Sequence, residues 1–171
     1  YQIQYPKLYG MKILLITTGN NHVLKKLSRM TFIELHIFEI TSERIFSKSI
    51  FINRLRTMVN SVLPQMIVTW RCPYIIPASI FTIPVLGAYN LHPSLLPAYP
   101  GLNPWKEMLH AKETEGGVTL HRITSDVDCG EILMQESFII GNNLDKARHK
   151  ADLIAAEIIY RFICSHIGTA L

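Results

Sequence analysis

Short apolar runs without polar alternation are the feature of this sequence that most limits its fold. The run Met66–Trp70 (MIVTW) shows no alternation of polar and apolar residues that would give a strand one solvent-exposed face. Residues 12–17 (KILLIT) are nearly as apolar. A strand covered on both faces is typical of a parallel sheet, because the connecting helices lie across both faces. These runs therefore predict an α/β fold.

The spacing of the other apolar residues extends this pattern along the chain. We predict strands at residues 12–17, 32–40, 66–70, 85–91, 118–123 and 131–140. The spacing of apolar residues predicts a helix from Val23 after the first strand and a second helix after a cap at Thr41 and Ser42. It predicts a third helix over residues 144–167. The predicted architecture is an open, mostly parallel, twisted sheet with helices on both faces.

One domain accounts for most of the chain. Residues 1–10 are rich in Tyr and Gln and precede the first strand, so we treat them as an N-terminal extension or an expression remnant. Residues 11–171 contain no repeat, low-complexity tract or linker, and their number suits a single core. The apolar Ile167 in the final helix would permit a homodimer.

Composition excludes several classes of protein. A hydrophobic fraction of 49% with 18% charged residues is not that of a disordered chain. The net charge of +4 is spread along the sequence, so we expect no nucleic-acid partner. No stretch approaches the roughly 18 uninterrupted apolar residues of a membrane span, so no membrane partner is expected.

The cysteines indicate neither a disulfide framework nor a metal site. Cys72, Cys129 and Cys164 are an odd set without CxxC or CxxH spacing. We therefore expect reduced thiols, a cytoplasmic location and no metal ion.

Polar residues that could take part in catalysis lie at or just after the ends of two predicted strands. Asn90 and His92 end the fourth strand, and the two-residue period of a strand places both side chains on one side. Residues 93–101 (PSLLPAYPG) then form a proline-rich loop that would hold them rigidly. Asp128 lies in the turn that leaves the next strand, where an isolated aspartate is most often a turn former.

Three segments in order carry a resemblance to a known family. NLHPSLLPAYPG at residues 90–101, GVTLH at 117–121 and DVDCGEIL at 126–133 resemble the formyltetrahydrofolate-dependent formyltransferases, which include glycinamide ribonucleotide and methionyl-tRNA formyltransferases. The resemblance covers about residues 70–135. It implies a Rossmann-like formyltransferase fold and 10-formyltetrahydrofolate as the co-substrate.

The resemblance also implies roles for single residues. Asn90, His92 and Asp128 match the family's catalytic Asn, His and Asp. Asn90 would donate to the developing oxyanion, His92 would donate or act as a base, and Asp128 would orient His92 and relay a proton. The folate slot would have Tyr74, Ile75 and Ile76 on one wall and Val118, Ser125, Asp126, Val127 and Asp128 on the other. Ile75, Ile76 and Val118 could equally be core residues without a role in binding.

The acceptor is expected to be a small-molecule amine. The first loop supplies the candidate acceptor-binding residues Gly19, Asn20, Asn21 and His22. It has one glycine where the purine-pathway enzymes have a Gly-rich turn, which disfavours glycinamide ribonucleotide. The terminal helix leaves no room for the C-terminal domain of the tRNA enzyme, so tRNA is not expected. An amino sugar nucleotide or an amino acid derivative remains.

Three alternatives stay open. A 10-formyltetrahydrofolate hydrolase would use a similar Asn, His and Asp set with water in place of the amine. A non-catalytic folate or nucleotide binder would keep the fold without the acceptor site. A dinucleotide-binding module is the least supported, because Gly19 lacks G-x-G-x-x-G spacing.

Overall fold

The computed structural model describes residues 10–19, 21–41 and 47–168, with side chains described as far as residue 165. The strands are β1 (Met11–Thr18), β2 (Ile33–Ile40), β3 (Met66–Trp70), β4 (Ala88–His92), β5 (Glu115–Arg122) and β6 (Ile132–Ile139). The helices are α1 (His22–Leu27), α2 (Lys48–Val62), α3 (Ala78–Phe81), α4 (Pro104–His110) and α5 (Leu144–Gly168). The predictions for residues 1–9, Asn20, Ser42 and the side chain of Ile167 lie outside the described residues.

The six strands form one sheet in the order β2-β1-β3-β4-β5-β6. β1 pairs in parallel with β2 and β3, and β3 pairs in parallel with β4. β5 alone is reversed, because it is antiparallel to both β4 and β6. The predicted open, mostly parallel α/β sheet is confirmed.

Helices cover both faces of this sheet. On one face, α1 and α5 bury Val23 and Ile159 against β3 and β5. On the other face, α2 and α3 bury Leu55 and Ile80 against β1 and β3. Every residue of β3 is buried, as its continuous apolar run predicts. None of the helices in the described ranges is long and apolar enough to cross a bilayer.

Several element boundaries differ from the sequence prediction. β4 begins at Ala88 instead of residue 85, because Gly87 with φ +93° donates to the carbonyl of Pro84 and closes a turn there. α2 begins at Lys48 after a cap by Ser47, whose Oγ accepts from the Ile50 N–H. The short helices α3 and α4 were not predicted, since each is too brief to show helical periodicity.

The reversal of β5 changes how the site is assembled. The carboxyl end of β5 lies beside the amino end of β4, where the Ile123 N–H donates to the Ala88 carbonyl at 2.8 Å. Residues 123–131 then turn back, and the Arg122 N–H donates to the Glu131 carbonyl at 2.9 Å. This returning turn carries Asp128 back to the side chain of Asn90.

Candidate active site

The amide of Asn90 is held from both sides. Its Oδ1 accepts from the Thr69 hydroxyl at 2.6 Å, and its Nδ2 donates to Nε2 of His121 at 3.0 Å. Nδ1 of His121 lies 3.0 Å from the carbonyl of Arg122, which can only accept, so this nitrogen carries the proton and Nε2 is an acceptor. The amide is thereby oriented with Nδ2 facing Asp128, whose Oδ1 lies 3.4 Å away.

His92 follows two residues later on the same side of β4 and is almost fully buried. Its Nε2 lies 2.8 Å from the carbonyl of Tyr99 and therefore donates to it. Its Nδ1 faces Oδ2 of Asp128 at 3.4 Å. In the neutral ring, Nδ1 presents a lone pair to a carboxylate oxygen, and this contact becomes favourable once Nδ1 takes up a proton.

The pKa of His92 lies below its ordinary value of 6.5. Burial is the main cause, since it disfavours the charged ring, and the negative charge of Asp128 opposes the shift in part. His92 is therefore a neutral base at neutral pH, with a counter-ion already beside the nitrogen that would be protonated.

Asp128 stays ionised in this setting. Burial by itself would raise its pKa, but the His121 ring, the hydrogen bond from the Gly101 N–H and the nearby His92 hold the pKa below its ordinary value. Each imidazole contributes to this through its protonated form, which attracts the carboxylate. The bond from Gly101 is the best formed of these, at 2.7 Å to Oδ2. Asp128 adopts φ +54°, a left-handed conformation that aspartate tolerates better than most residues.

The loop at residues 93–101 is anchored by hydrogen bonds as well as by its prolines. The hydroxyl of Thr119 on β5 donates to the Ser94 carbonyl at 2.7 Å and accepts from the Leu96 N–H at 3.1 Å. Gln135 on β6 donates to the Leu96 carbonyl at 2.7 Å. Within the loop, the Ser94 hydroxyl donates to the Tyr99 carbonyl at 3.3 Å, the same carbonyl that orients His92.

Thr69 and His121 are site residues that sequence reasoning did not single out for function. Each is buried, and each contacts Asn90 directly. The available signal was a hydroxyl inside the apolar run of β3, together with a histidine two residues after Thr119 on the same side of β5. The pairing of Asn90 with His121 depends on the antiparallel register, which the sequence alone does not reveal.

A cavity of about 710 Å³ opens beside these side chains. Asn90, His92, His121 and Asp128 line it, and its volume is in the range of small-molecule sites. Among the predicted folate-binding residues, five others also line it: Tyr74, Ile75, Ile76, Asp126 and Val127.

Two predicted wall residues lie elsewhere. Val118 is fully buried in the core that faces α5, because alternation along β5 places it on the opposite side from Thr119 and His121. It is therefore not a wall of the cavity. Ser125 is exposed and lies outside the lining, since the turn exposes it to solvent before Asp126 and Val127 reach the cavity.

The first loop is organised around α1 instead of the cavity. Asn21 is buried, and its side chain accepts from the Leu24 N–H and donates to the hydroxyl of Thr17 at 2.7 Å. The ring of His22 packs edge-on against His149, and the backbone N–H of His22 donates to Oδ2 of Asp152 at 2.9 Å. Gly19, Asn21 and His22 do not line the cavity.

The cavity spans both faces of the sheet where β3 ends. Tyr74 stacks on Phe51 of α2 at 4.2 Å between ring centroids, on one face. Arg71 lies 3.4 Å from Asp152 of α5, on the other face. Arg71, Tyr74 and the α5 residue Arg148 all line the cavity, so it runs from the α2 side across the sheet edge to the α5 side.

Known proteins are similar to this chain in sequence. The sequence profile described as Formyl transferase matches residues 4–159. Methionyl-tRNA formyltransferase of Porphyromonas gingivalis is 38% identical over 92 residues, covering 54% of this chain and 27% of that protein. Bifunctional polymyxin resistance protein ArnA of Wigglesworthia glossinidia brevipalpis is 36% identical over 122 residues, covering 61% of this chain and 19% of that protein.

Solved structures are similar in fold. Phosphoribosylglycinamide formyltransferase from Bacillus halodurans superposes with a TM-score of 0.70 at 16% identity, over 86% of this chain and 90% of that one. A formyltetrahydrofolate deformylase from Pseudomonas syringae gives a TM-score of 0.75 at 15% identity, over 94% of this chain and 62% of that one. The chain spans less than a third of the length of the two sequence relatives named above. Because the family profile extends over both the sheet and the clustered side chains, the chain belongs to the formyl transferase family.

Proposed function

We propose that this chain transfers a formyl group from 10-formyltetrahydrofolate to the amino group of a small-molecule acceptor. The observation that carries the proposal is the meeting of an amide, an imidazole and a carboxylate, from Asn90, His92 and Asp128, at one cavity. The acceptor is an amino sugar nucleotide, an amino acid derivative or glycinamide ribonucleotide.

The α2 side of the cavity suits a folate. Ile75 is 51% exposed and Val127 is 46% exposed, and both present apolar surface to the cavity. Large apolar side chains left exposed in a concave site are typical of ligand walls, and a flat pterin ring would cover them. When bound there, 10-formyltetrahydrofolate supplies the formyl group and a nitrogen leaving group.

Asn90 is suited to stabilise an oxyanion. One N–H of its Nδ2 donates to His121, while the other has only the long 3.4 Å contact to Asp128. That second N–H can donate to the oxygen of a formyl carbon under attack. A preorganised donor of this kind contributes about 3–4 kcal/mol to lowering the barrier.

His92 and Asp128 are suited to carry the proton. Nδ1 of His92 is unprotonated, and it faces the charged Oδ2 of Asp128. Nδ1 takes a proton from the attacking amine, Asp128 stabilises the imidazolium, and the same proton is then available to the departing nitrogen. General acid-base catalysis of this kind contributes on the order of 10²–10⁴ in rate.

The test is release of tetrahydrofolate from 10-formyltetrahydrofolate, measured with and without a panel of amines. Amine-dependent release supports transfer, whereas equal release without amine indicates hydrolysis. Asp128→Asn should abolish most of the turnover while retaining affinity for an unreactive formylfolate analogue, because the carboxylate acts mainly in the transition state. Glu39→Gln on β2 is the matched control, since that carboxylate is exposed and does not line the cavity. Undiminished turnover in Asp128→Asn would contradict the proposal.

A further inference from the structure

Two arginines line the α5 side of the cavity, and the proposed catalysis uses neither. Arg71 follows β3 directly, and Arg148 lies in the second turn of α5. Arg148, Ala151 and Asp152 are three and four residues apart, so they share one face of the helix. Asp152 contacts Arg71 at 3.4 Å, which places Arg71 and Arg148 on the same part of the cavity wall.

Arg71 is positioned more firmly than a surface arginine. Its backbone adopts φ +57°, and its carbonyl accepts from the hydroxyl of Thr18 at 3.4 Å. Its guanidinium lies 5.6 Å from the centre of the Trp70 ring. A non-glycine residue held in the left-handed region beside a cavity suggests that the position of its side chain matters.

The charge of Arg71 is incompletely compensated. Asp152 is almost fully buried, and its carboxylate already accepts from the Trp70 indole N–H at 2.6 Å and the His22 N–H at 2.9 Å. Its 3.4 Å contact with Arg71 is longer than either of these bonds. The side chain of Arg71 remains 41% exposed.

Arg148 has still weaker compensation. Its one ion pair among the described residues is with Asp145 at 3.9 Å, and Asp145 is 94% exposed. An exposed pair of this kind contributes little, so it does not neutralise the guanidinium. The carboxylates that line the described cavity, Asp126 and Asp128, both belong to the turn after β5. Among the described residues, the lining on the α5 side therefore contains two arginines and no carboxylate.

We propose that Arg71 and Arg148 form an oxyanion-binding subsite, so that the acceptor amine carries a phosphate or carboxylate group. Guanidinium groups bind both oxyanions through paired N–H donors. A bound oxyanion would also relieve the repulsion between two like charges on one wall. The small side chain of Ala151, which lies three residues after Arg148 and also lines the cavity, leaves room for such a group. That the anion belongs to an acceptor amine rests on the proposed function, whereas the anion subsite itself does not.

The test measures anion binding directly, apart from turnover. Pyrophosphate, inorganic phosphate and acetate are titrated into the full chain, and affinity is read by calorimetry and by NMR. Arg148→Gln is the primary variant, because it disturbs no buried group, and Arg71→Gln is the second. Lys146→Gln is the matched control, since it removes one exposed positive charge from the same helix outside the cavity lining.

We expect each arginine variant to weaken pyrophosphate binding at least about tenfold, which corresponds to about 1.4 kcal/mol. The Lys146 variant should retain the affinity of the parent protein. A larger loss for acetate than for the phosphates would assign the subsite to a carboxylate. Unchanged affinities for all three anions in both arginine variants would overturn the inference.

Titration with the formylfolate analogue separates this inference from the proposed function. Analogue binding and turnover with unaltered anion affinity would reject the subsite and leave formyl transfer standing. Arginine-dependent anion binding without analogue binding would support the subsite and reject formyl transfer.

Discussion

The two sides of the cavity differ in how their polar groups are satisfied. Beside β4, the amide of Asn90 and the ring of His92 are oriented by buried partners, including Thr69 and the Tyr99 carbonyl. Beside α5, Arg71 and Arg148 are half-exposed and have only long ion pairs in the described structure. Reacting groups gain from being preorganised, whereas an acceptor site must admit its ligand from water. The first side thus suits chemistry and the second suits recognition.

The largest effect is expected at His92. His92→Gln should lower kcat by about 10²–10⁴, because glutamine can still donate to Tyr99 but cannot take up a proton. In the parent protein, kcat/KM should fall as pH drops through the depressed pKa of His92, since protonation removes the base. Steady-state kinetics from mildly acidic to neutral pH checks both expectations. His110→Gln is the control, because this histidine is exposed on α4.

The same shift predicts a stability difference. The folded pKa of His92 lies below the ordinary value of 6.5, so the unfolded chain binds more protons in the window below that pH. The parent protein should keep this contribution above pH 6.5 and lose it as pH falls through the folded pKa. Between about pH 7 and about pH 5, the free energy of unfolding of His92→Gln should therefore fall less than that of the parent protein. Denaturant titration at each pH measures both. An equal loss in both proteins would contradict the burial of a neutral ring.

Asn90→Ala should have the next largest effect. Loss of the oxyanion donor should reduce kcat by about 10²–10³ with little change in affinity for the formylfolate analogue. Asn60→Ala on the exposed side of α2 provides the comparison. A parallel loss of analogue affinity would instead assign Asn90 to binding.

Thr69→Val tests whether the amide must be held in place. Valine keeps the shape of the side chain but removes the hydroxyl that donates to Asn90 Oδ1 at 2.6 Å. We expect kcat to fall by about tenfold, equivalent to about 1.4 kcal/mol, with KM unchanged. Thr69→Ser keeps the hydroxyl and should retain most of the activity. If Thr69 served only to pack the core, serine would not perform better than valine.

The smallest effect on turnover is expected in the first loop. Asn21 caps α1 and donates to Thr17, so Asn21→Ala should cost about 1 kcal/mol of stability. Because Asn21 does not line the cavity, KM for the acceptor should remain unchanged. Thermal unfolding and acceptor kinetics together check this. A raised KM with normal stability would return Asn21 to its predicted role in acceptor binding.

What the sequence could predict depended on how close together the informative residues lie. Asn90 and His92 are two residues apart on one strand, so their common direction followed from local geometry. His121 contacts Asn90 although the two residues are 31 positions apart in sequence. Predicting this contact would have required the direction of β5. Val118 was assigned to the cavity wall by the family resemblance, whereas alternation along β5 places its side chain in the core that faces α5. Arg71 and Arg148 come to line one cavity through the tertiary packing of α5, for which no local pattern exists.

The reversed strand β5 also bears on the order in which the molecule assembles. Asn90 pairs with His121 across 31 residues, while Lys12 contacts Gln65 across 53 residues where β1 joins β3. Contacts that close shorter loops cost less chain entropy and form faster. We therefore expect the pairing of β4 with β5, which brings His121 to Asn90, to gain protection from hydrogen exchange before the pairing of β1 with β3 during refolding.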